Sequence, residues 1–425
     1  MQAEIVVGLD IGTTKIAVIV GRRNEFGKIE VLGYGHTESI GVRRGVITNI
    51  ENTVNSILAA VKDAQETSKV TIRTVNVGIA GQHIRSIQHR TSTIRENPDN
   101  VISQDDIDRF TSSIYNIAMN PGEKIIDVIP QEFSIDGDSG VRDPKGMLGH
   151  QIAGSFHIVT AQTSAAQNIM KCIEKAGYNL QQMILQPLAS AEAVLSDDEK
   201  DAGVVLVDIG GGTTDIAIFL DRIIRHTAVI PFGGEIITED IKTGCSIIKK
   251  HAEDLKVKFG SALATENRAE EVVAIPGLRG RAPKEITLKN LANIIQARME
   301  EIIEAVYEEI KSTGLEKKLI AGIVLTGGGA TLKHIEQLTQ FKTGMETRIG
   351  YPNEHLASNS AEEMTKPMYA TGIGLVLMGM QRADNTGSGN LPTTAPAPEY
   401  PTKPKVPRPN KVQEWLEGFF KDPIS

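Results

Sequence analysis

The sequence predicts an α/β protein of two related domains that face each other across a cleft. Two glycine hairpins predict it. In the first, Ile5-Val6-Val7-Gly8-Leu9 runs into Asp10, then Ile11-Gly12-Thr13-Thr14-Lys15, then a second apolar run over 16–20. In the second, Val204-Val205-Leu206-Val207 runs into Asp208-Ile209-Gly210-Gly211-Gly212-Thr213-Thr214-Asp215, then an apolar run over 216–220. Each reads as a buried strand, a polar glycine turn and a returning strand. The copies lie about 200 residues apart, which suggests a duplicated domain.

The turn chemistry suggests what the cleft holds. Glycines without a Cβ let backbone N–H groups come close to an anion. Thr13, Thr14, Thr213 and Thr214 add hydroxyl donors, and Lys15 adds a cation. Asp208 repels phosphate but is well placed to hold a hydrated Mg²⁺ that the phosphates share. A single hairpin of this kind is compatible with a plain polar turn. Two of them point to a polyphosphate gripped from both sides.

At 425 residues the chain can bury more than one core, and its 40% hydrophobic and 23% charged residues are those of an ordinary globular protein. A net charge of −8 argues against a general nucleic-acid binder. Cys172 and Cys245 lack metal-ligand spacing and read as buried or free thiols in a reducing compartment. There is no basic stretch leading into an apolar core at the N-terminus, and no apolar run reaches the ~18–20 residues that span a bilayer. A cytoplasmic protein is expected.

Taken in order, 28–35 reads as a third strand, and Asn49 or Glu51 opens a helix to about residue 66. Ile50, Val54, Ile57, Leu58 and Val61 are assigned to its apolar face. Residues 75–79 return as a strand. From 81 to 163 the pattern changes to a small α/β insertion: Ser103 caps a helix, strands are expected at 124–129 and 151–160, and the Gly- and Pro-rich text between them reads as turns. His83, His89, His150 and His157 are scattered and form no metal set. Residues 164–176 read as a helix ended by Gly177, and Pro187 suits the first turn of the next helix.

After the second hairpin come helices through Ile237 and Ile241 and over 251–258, the latter carrying Glu253 and Lys256. Thr287 caps the longest helix, 288–311. A buried strand over 320–325 enters Thr326-Gly327-Gly328-Gly329-Ala330, a strand–glycine–helix join that could touch a nucleotide. The helix over 369–377 packs through small residues, and folded structure is expected to stop near Gln381. Residues 384–410 have almost no apolar content and read as a disordered linker. In the last stretch Val412, Trp415, Leu416, Phe419 and Phe420 recur at helical spacing on one face.

With two Asp-Gly-Thr hairpins and a third glycine turn, the chain resembles the actin, Hsp70 and sugar-kinase ATPase superfamily. Three stretches narrow this: Pro130-Gln131-Glu132-Phe133 through Gly137, Gly146-Met147-Leu148-Gly149, and Gly78-Ile79-Ala80-Gly81-Gln82-His83-Ile84. With them the chain resembles the bacterial cell-division family FtsA, from about Ile5 to Gln381 and again at the tail helix. The resemblance implies an actin-like fold: domain 1 over 1–80, 164–197 and 361–383, with the insertion 81–163 contacting neighbouring subunits. Domain 2 would cover 198–230 and 292–360, with a small subdomain at 231–291 that receives the C-terminal tail peptide of the tubulin-like protein FtsZ.

Site roles follow from the same resemblance. Asp10 and Asp208 match the carboxylates that organise Mg²⁺ and its waters. Gly12, Thr13, Thr14 and Lys15 match the first phosphate loop, and Gly210, Gly211, Gly212, Thr213 and Thr214 the second. Gly234 joins the nucleotide contacts. Glu253 and Lys256 match residues at the ribose, and Gly327, Gly328 and Gly329 the turn beside adenosine. Gln186 stands where Hsp70-like relatives carry a water-orienting glutamate; an amide positions water but is a poor base, so ATP hydrolysis is expected to be slow. ATP would act mainly as a structural ligand and assembly switch.

The tail completes the expectation. An isolated helix as short as 411–421 is unstable in water, but a membrane interface folds it by burying its apolar face, and Trp415 and the phenylalanines suit the headgroup boundary. Lys403, Lys405, Arg408 and Lys411 outnumber Glu399 on the approach, which favours anionic lipid. One tail binds weakly; many on one filament bind tightly. The expected role is an ATP-binding filament on the inner face of the cell membrane that tethers FtsZ and recruits later division proteins. Tail docking on a protein is the alternative for 411–421. For the whole chain the alternative is a small-molecule kinase of the same fold. An Hsp70-like chaperone fits less well, since only about 40 residues follow the ATPase core.

Overall fold

The structure is a computed structural model that describes residues 4–268, 270–276, 282–358 and 360–386, with side chains through 382. Most of the expected linker, 387–410, and the expected tail helix with Val412, Trp415, Leu416, Phe419 and Phe420 lie outside the described residues.

Lobe 1 begins with β1 (Ile5–Ile11), β2 (Lys15–Arg23) and β3 (Ile29–Glu38), an antiparallel meander. A short hairpin follows, β4 (Val42–Arg43) and β5 (Val46–Ile47), then α1 (Ile50–Ser68) and β6 (Thr74–Ile79). Asn49 starts α1 by accepting from the Asn52 N–H. The helix buries Thr53, Ser56, Ile57, Ala60, Val61 and Ala64. Leu58, expected on that face, is instead 40% exposed: small Thr53, Ser56 and Ala60 set the contact, because β3 approaches closely at Gly35, where a Cβ would overlap the Ala60 carbonyl.

The insertion contains β7 (Ile84–Ile94), α2 (Gln104–Ser113), β8 (Glu123–Ile135), β9 (Asp138–Val141) and β10 (Gln151–Gln162), in sheet order β7-β10-β8-β9. Ser103 and Asp106 cap α2 reciprocally. Phe110 of α2 and Phe133 of β8 both meet Phe156 edge-on, at centroid distances of 5.4 and 6.1 Å. Residues 130–135, expected as a turn, continue β8 instead. Pro130 is accommodated because the register with β10 slips there: Phe156 pairs with Pro130 and Ser155 with Glu132, so Gln131 is the extra residue of a bulge. β7 was not expected; polar Arg85, Ser86, Gln88 and Arg90 interrupt any apolar strand pattern.

The chain returns to lobe 1 through α3 (Thr163–Lys175), β11 (Asn179–Leu185) and α4 (Gln186–Val194), then crosses by α5 (Asp197–Ala202) to lobe 2. Lobe 2 comprises β12 (Val204–Ile209), β13 (Thr214–Leu220), β14 (Ile223–Ile230), α6 (Gly234–Cys245), α7 (Lys249–Phe259), the ribbon β15 (Val272–Ile275) and β16 (Lys284–Thr287), α8 (Leu288–Ser312), β17 (Ile323–Thr326), α9 (Ile335–Thr343) and β18 (Thr347–Ile349). α10 (Ala370–Thr386) then packs back on lobe 1. The strand expected over 320–325 starts only at Ile323: residues 320–322 turn around Gly322, and Ile320 is 79% exposed. α10 continues past Gln381, so the first three residues of the expected linker, 384–386, are helical.

The duplication is plain in the sheets. Lobe 1 has order β11-β6-β1-β2-β3 and lobe 2 has β18-β17-β12-β13-β14. In both, three antiparallel strands are extended by two parallel ones. Separate cores fill each lobe, and a third joins β1 and β2 to β12 and β13 through α4 and α10. Cys172 and Cys245 are buried free thiols, and burial pushes the Cys172 thiol up to about 11.

The insertion covers β14, the edge strand of lobe 2, and so protects an open sheet edge. Ser86 Oγ donates to the Thr227 carbonyl at 3.0 Å, Gln88 Nε2 to the Arg225 carbonyl at 2.9 Å, and Gln131 Nε2 to the Ile224 carbonyl. His157 is fully buried between Gln88, 3.2 Å from Nδ1, and Thr227 Oγ1, 3.1 Å from Nε2. Burial, with repulsion from His226, pushes its imidazole down to about 4. The unfolded chain therefore takes up this proton first, near pH 6.5, and stability from the neutral ring is lost as pH falls from about 6.5 to 4. The linkage is about 3 kcal/mol. His157→Gln keeps an amide in the seam and does not titrate. In urea unfolding, its stability deficit against wild type is expected to shrink between pH 7 and pH 4.5; an unchanged deficit contradicts this assignment.

Candidate nucleotide site

The two glycine hairpins meet at the floor of the cleft. Both make the same turn: Gly12 N–H donates to the Lys15 carbonyl at 3.0 Å and Gly210 N–H to the Thr213 carbonyl at 2.9 Å. The N–H groups of Thr13, Thr14, Gly211 and Gly212 donate to no acceptor among the described residues. The loops touch. A Cβ on Gly211 would lie 2.5 Å from the Thr14 side chain, and one on Gly212 2.5 Å from Thr13 Oγ1. A larger residue at either position would wedge the lobes apart.

Around this contact lies a cavity of about 120 Å³. Its wall includes Asp10, Lys15, Gln186, Asp208, Asp215 and Met368, together with the two loops and Gly327 and Gly328. Gln186, first residue of α4, donates from Nε2 to Asp10 Oδ1 at 3.0 Å. Asp208 accepts from Ser190 Oγ at 2.7 Å and Thr371 Oγ1 at 3.2 Å. Lys15 Nζ donates to the Met368 carbonyl at 2.7 Å and sits 3.8 Å from the Tyr369 ring centroid. Burial lowers this ammonium to about 8, against the pull of Asp10 and Asp208.

The carboxylates compete for too little positive charge. Burial raises Asp10 to about 6, with Lys15 opposing and Asp208 adding. Burial likewise raises Asp208, against its two hydroxyl donors. Asp215, paired across the hairpin with Asp208, is pushed up to about 8 by burial and by Asp208. Its Oδ2 accepts from Thr213 Oγ1 at 3.0 Å, while its buried Oδ1 has no partner. The donor set suits a hard cation with oxygen ligands. Among the described residues no three carboxylate, imidazole or thiol groups are arranged to ligate a metal directly, so Mg²⁺ would be held here through its water shell.

Not every expected residue reaches this cavity. Thr214 is fully buried and its hydroxyl donates to the Phe232 carbonyl at 2.9 Å. Gly329 packs against the Ile209 side chain. Gly234, Glu253 and Lys256 form a cluster of their own. Lys256 Nζ donates to the Gly234 carbonyl, Thr238 Oγ1 and Glu253 Oε2, each at 2.8 Å. The site also holds residues that were not anticipated: Asp215, Ser190, Thr371 and Met368. Asp215 was legible as the second carboxylate of its hairpin; Ser190 and Thr371 come from helices whose small residues read only as packing, and Met368 from the turn before α10.

Two family models match the chain: "Cell division protein FtsA" over residues 205–374 and "SHS2 domain inserted in FTSA" over 81–160. The cell division protein FtsA of Pseudomonas aeruginosa is 37% identical over 420 residues, covering 99% of both chains. The chain belongs to the FtsA family. The FtsA of Neisseria meningitidis is 38% identical over 392 residues, 92% of each chain, and that of Escherichia coli is 33% identical over 386 residues, 89% of this chain and 91% of that one. Solved structures agree on the fold. A PilM–PilN type IV pilus biogenesis complex aligns with a TM-score of 0.64 at 15% identity, covering 88% of this chain and 98% of that one. MreB5 of Spiroplasma citri bound to ADP aligns at 0.56 and 15%, covering 91% and 99%. This FtsA-family chain thus has an actin-like fold and a role in cell division. Among its described residues no helix is long and apolar enough to cross a membrane.

Proposed function

We propose that this FtsA-family protein binds ATP with Mg²⁺ between its two hairpins, polymerises on the inner face of the cell membrane, and tethers the FtsZ ring there through its C-terminal helix. The FtsZ tail peptide would dock on the small subdomain of lobe 2, and later division proteins would be recruited to the assembly. The observation that carries the reading is the meeting of two matched anion loops beside Asp10, Asp208 and Gln186. The N–H groups of Thr13, Thr14, Gly211 and Gly212 would bind phosphate, and Lys15 would add a cation. Asp10 and Asp208 would hold the waters of Mg²⁺, which neutralises phosphate charge when bound. Gln186 would orient a water without accepting its proton, so turnover stays slow.

The test is a titration of the full chain with ATP and Mg²⁺, followed by turnover measurements. Saturable one-site binding is expected, with turnover far below the ~10 s⁻¹ median of enzymes. Rapid ATP consumption that depends on an added metabolite would contradict the reading and favour a small-molecule kinase.

A further inference from the structure

We propose that the β4–β5 hairpin is a phosphate clamp: Arg43 and Arg44 reach across the cleft to the phosphate chain held at the second glycine loop. This rests on the nucleotide reading above and adds a cationic element from the opposite lobe. The two strands are joined by the two-residue turn Arg44–Gly45, with φ of 49° and 73°. Such turns need left-handed backbone at both positions and favour Asn or Gly there. An arginine side chain is strained in that conformation, which points to a role for the side chain itself. The hairpin is fixed to the first loop: Gly45 N–H donates to Thr13 Oγ1 at 3.0 Å.

The arginines open on a second cavity, of about 340 Å³, with Gly211 and Gly212 on its wall. That volume is within the range of small-molecule sites. Its two carboxylates, Glu235 and Glu239, are already paired. Lys249 Nζ lies 2.5 and 3.4 Å from them, and Lys242 Nζ lies 2.7 Å from Glu239. Arg43 and Arg44 are exposed and have no ion pair among the described residues. They are the uncompensated charges of the wall. Their planar forks suit phosphate oxygens, and they share the wall with Gly211 and Gly212, whose N–H groups have no acceptor among the described residues. The cavity therefore fits a polyphosphate better than a neutral or cationic ligand.

The experiment uses the full chain with Mg²⁺, a fluorescent ATP analogue, and inorganic tripolyphosphate as competitor, with thermal unfolding read in parallel. Arg44→Gly relieves the left-handed residue, so Tm is expected to hold or rise while the Kd for ATP rises about tenfold. Adding Arg43→Ala is expected to weaken ATP and tripolyphosphate together by about a further tenfold. Arg43→Lys is expected to retain part of the affinity. If wild type binds and the double variant binds equally well, the clamp is wrong and the nucleotide reading stands. A weaker Kd that comes only with a large loss of Tm assigns the hairpin a structural role and overturns the clamp. If wild type itself does not bind ATP, the nucleotide reading falls and the clamp falls with it.

Discussion

Replacing Gly374 with alanine is expected to destabilise the chain by about 3 kcal/mol or more, the upper range for forcing a methyl into packed structure. Gly374 lies in α10, where the helix crosses α4 backbone to backbone. A Cβ there would overlap the Ala189 carbonyl oxygen, and α4 cannot retreat. Pro187, Ala189, Ser190, Ala191, Ala193 and Val194 of that helix are all buried. Forced separation would also move Ser190 and Thr371, whose hydroxyls hold Asp208. The variant should therefore unfold at lower temperature and lose nucleotide affinity together. A stability loss under about 1 kcal/mol in chemical denaturation would show that the two helices slide apart freely. The comparison substitution is Gly137→Ala: nothing lies within 4 Å of a Cβ there, although its φ of 97° carries its own strain.

The second large effect is expected outside the described residues. Trp415→Glu removes the largest anchor of the proposed tail helix and puts a carboxylate on its apolar face. Losing one large buried side chain is worth about 2 kcal/mol, or about 30-fold in the affinity of a single tail. On a filament the loss compounds over many tails, so membrane attachment should fall from nearly complete to nearly absent. Nucleotide binding should not change, because the cleft residues lie within 10–371. Persistent full attachment of the Trp415→Glu protein would mean that the tail is not the membrane anchor.

What the sequence disclosed, and what it hid, follows from burial. β1, β2, β12 and β13 are buried on both faces, so they stand out as continuous apolar runs. α8 is equally plain, with Leu291, Ile295, Met299, Ile302 and Val306 at helical spacing and Thr287 as its cap. β7 and β14 were not visible, because each mixes polar and charged residues with apolar ones. Their reason lies in long-range contacts: Ser86 and Gln88 serve the Thr227 and Arg225 carbonyls, a pairing that no local pattern encodes. Pro130 read as a turn because its bulge depends on β10.

The site divides in the same way. Both glycine loops were legible, since glycine and threonine between two apolar strands repeat at 12–14 and 210–214. Ser190 and Thr371 were not, because small hydroxyl residues on tightly packed helices serve packing as readily as chemistry. Lys15 could be named as a cation but not located: its attachment to the Met368 carbonyl and the Tyr369 ring joins residues about 350 positions apart. Arg43 and Arg44 have no local motif to single them out; the fold puts them on one cavity wall with Gly211 and Gly212.

The most direct test of the account is sedimentation with anionic liposomes, with and without ATP and Mg²⁺, comparing the full chain with one ending at Thr386, the last residue of α10. ATP-promoted pelleting that requires residues 387–425 is the predicted result. Equal pelleting of both chains, or none by either with any nucleotide, would contradict a polymerising membrane tether.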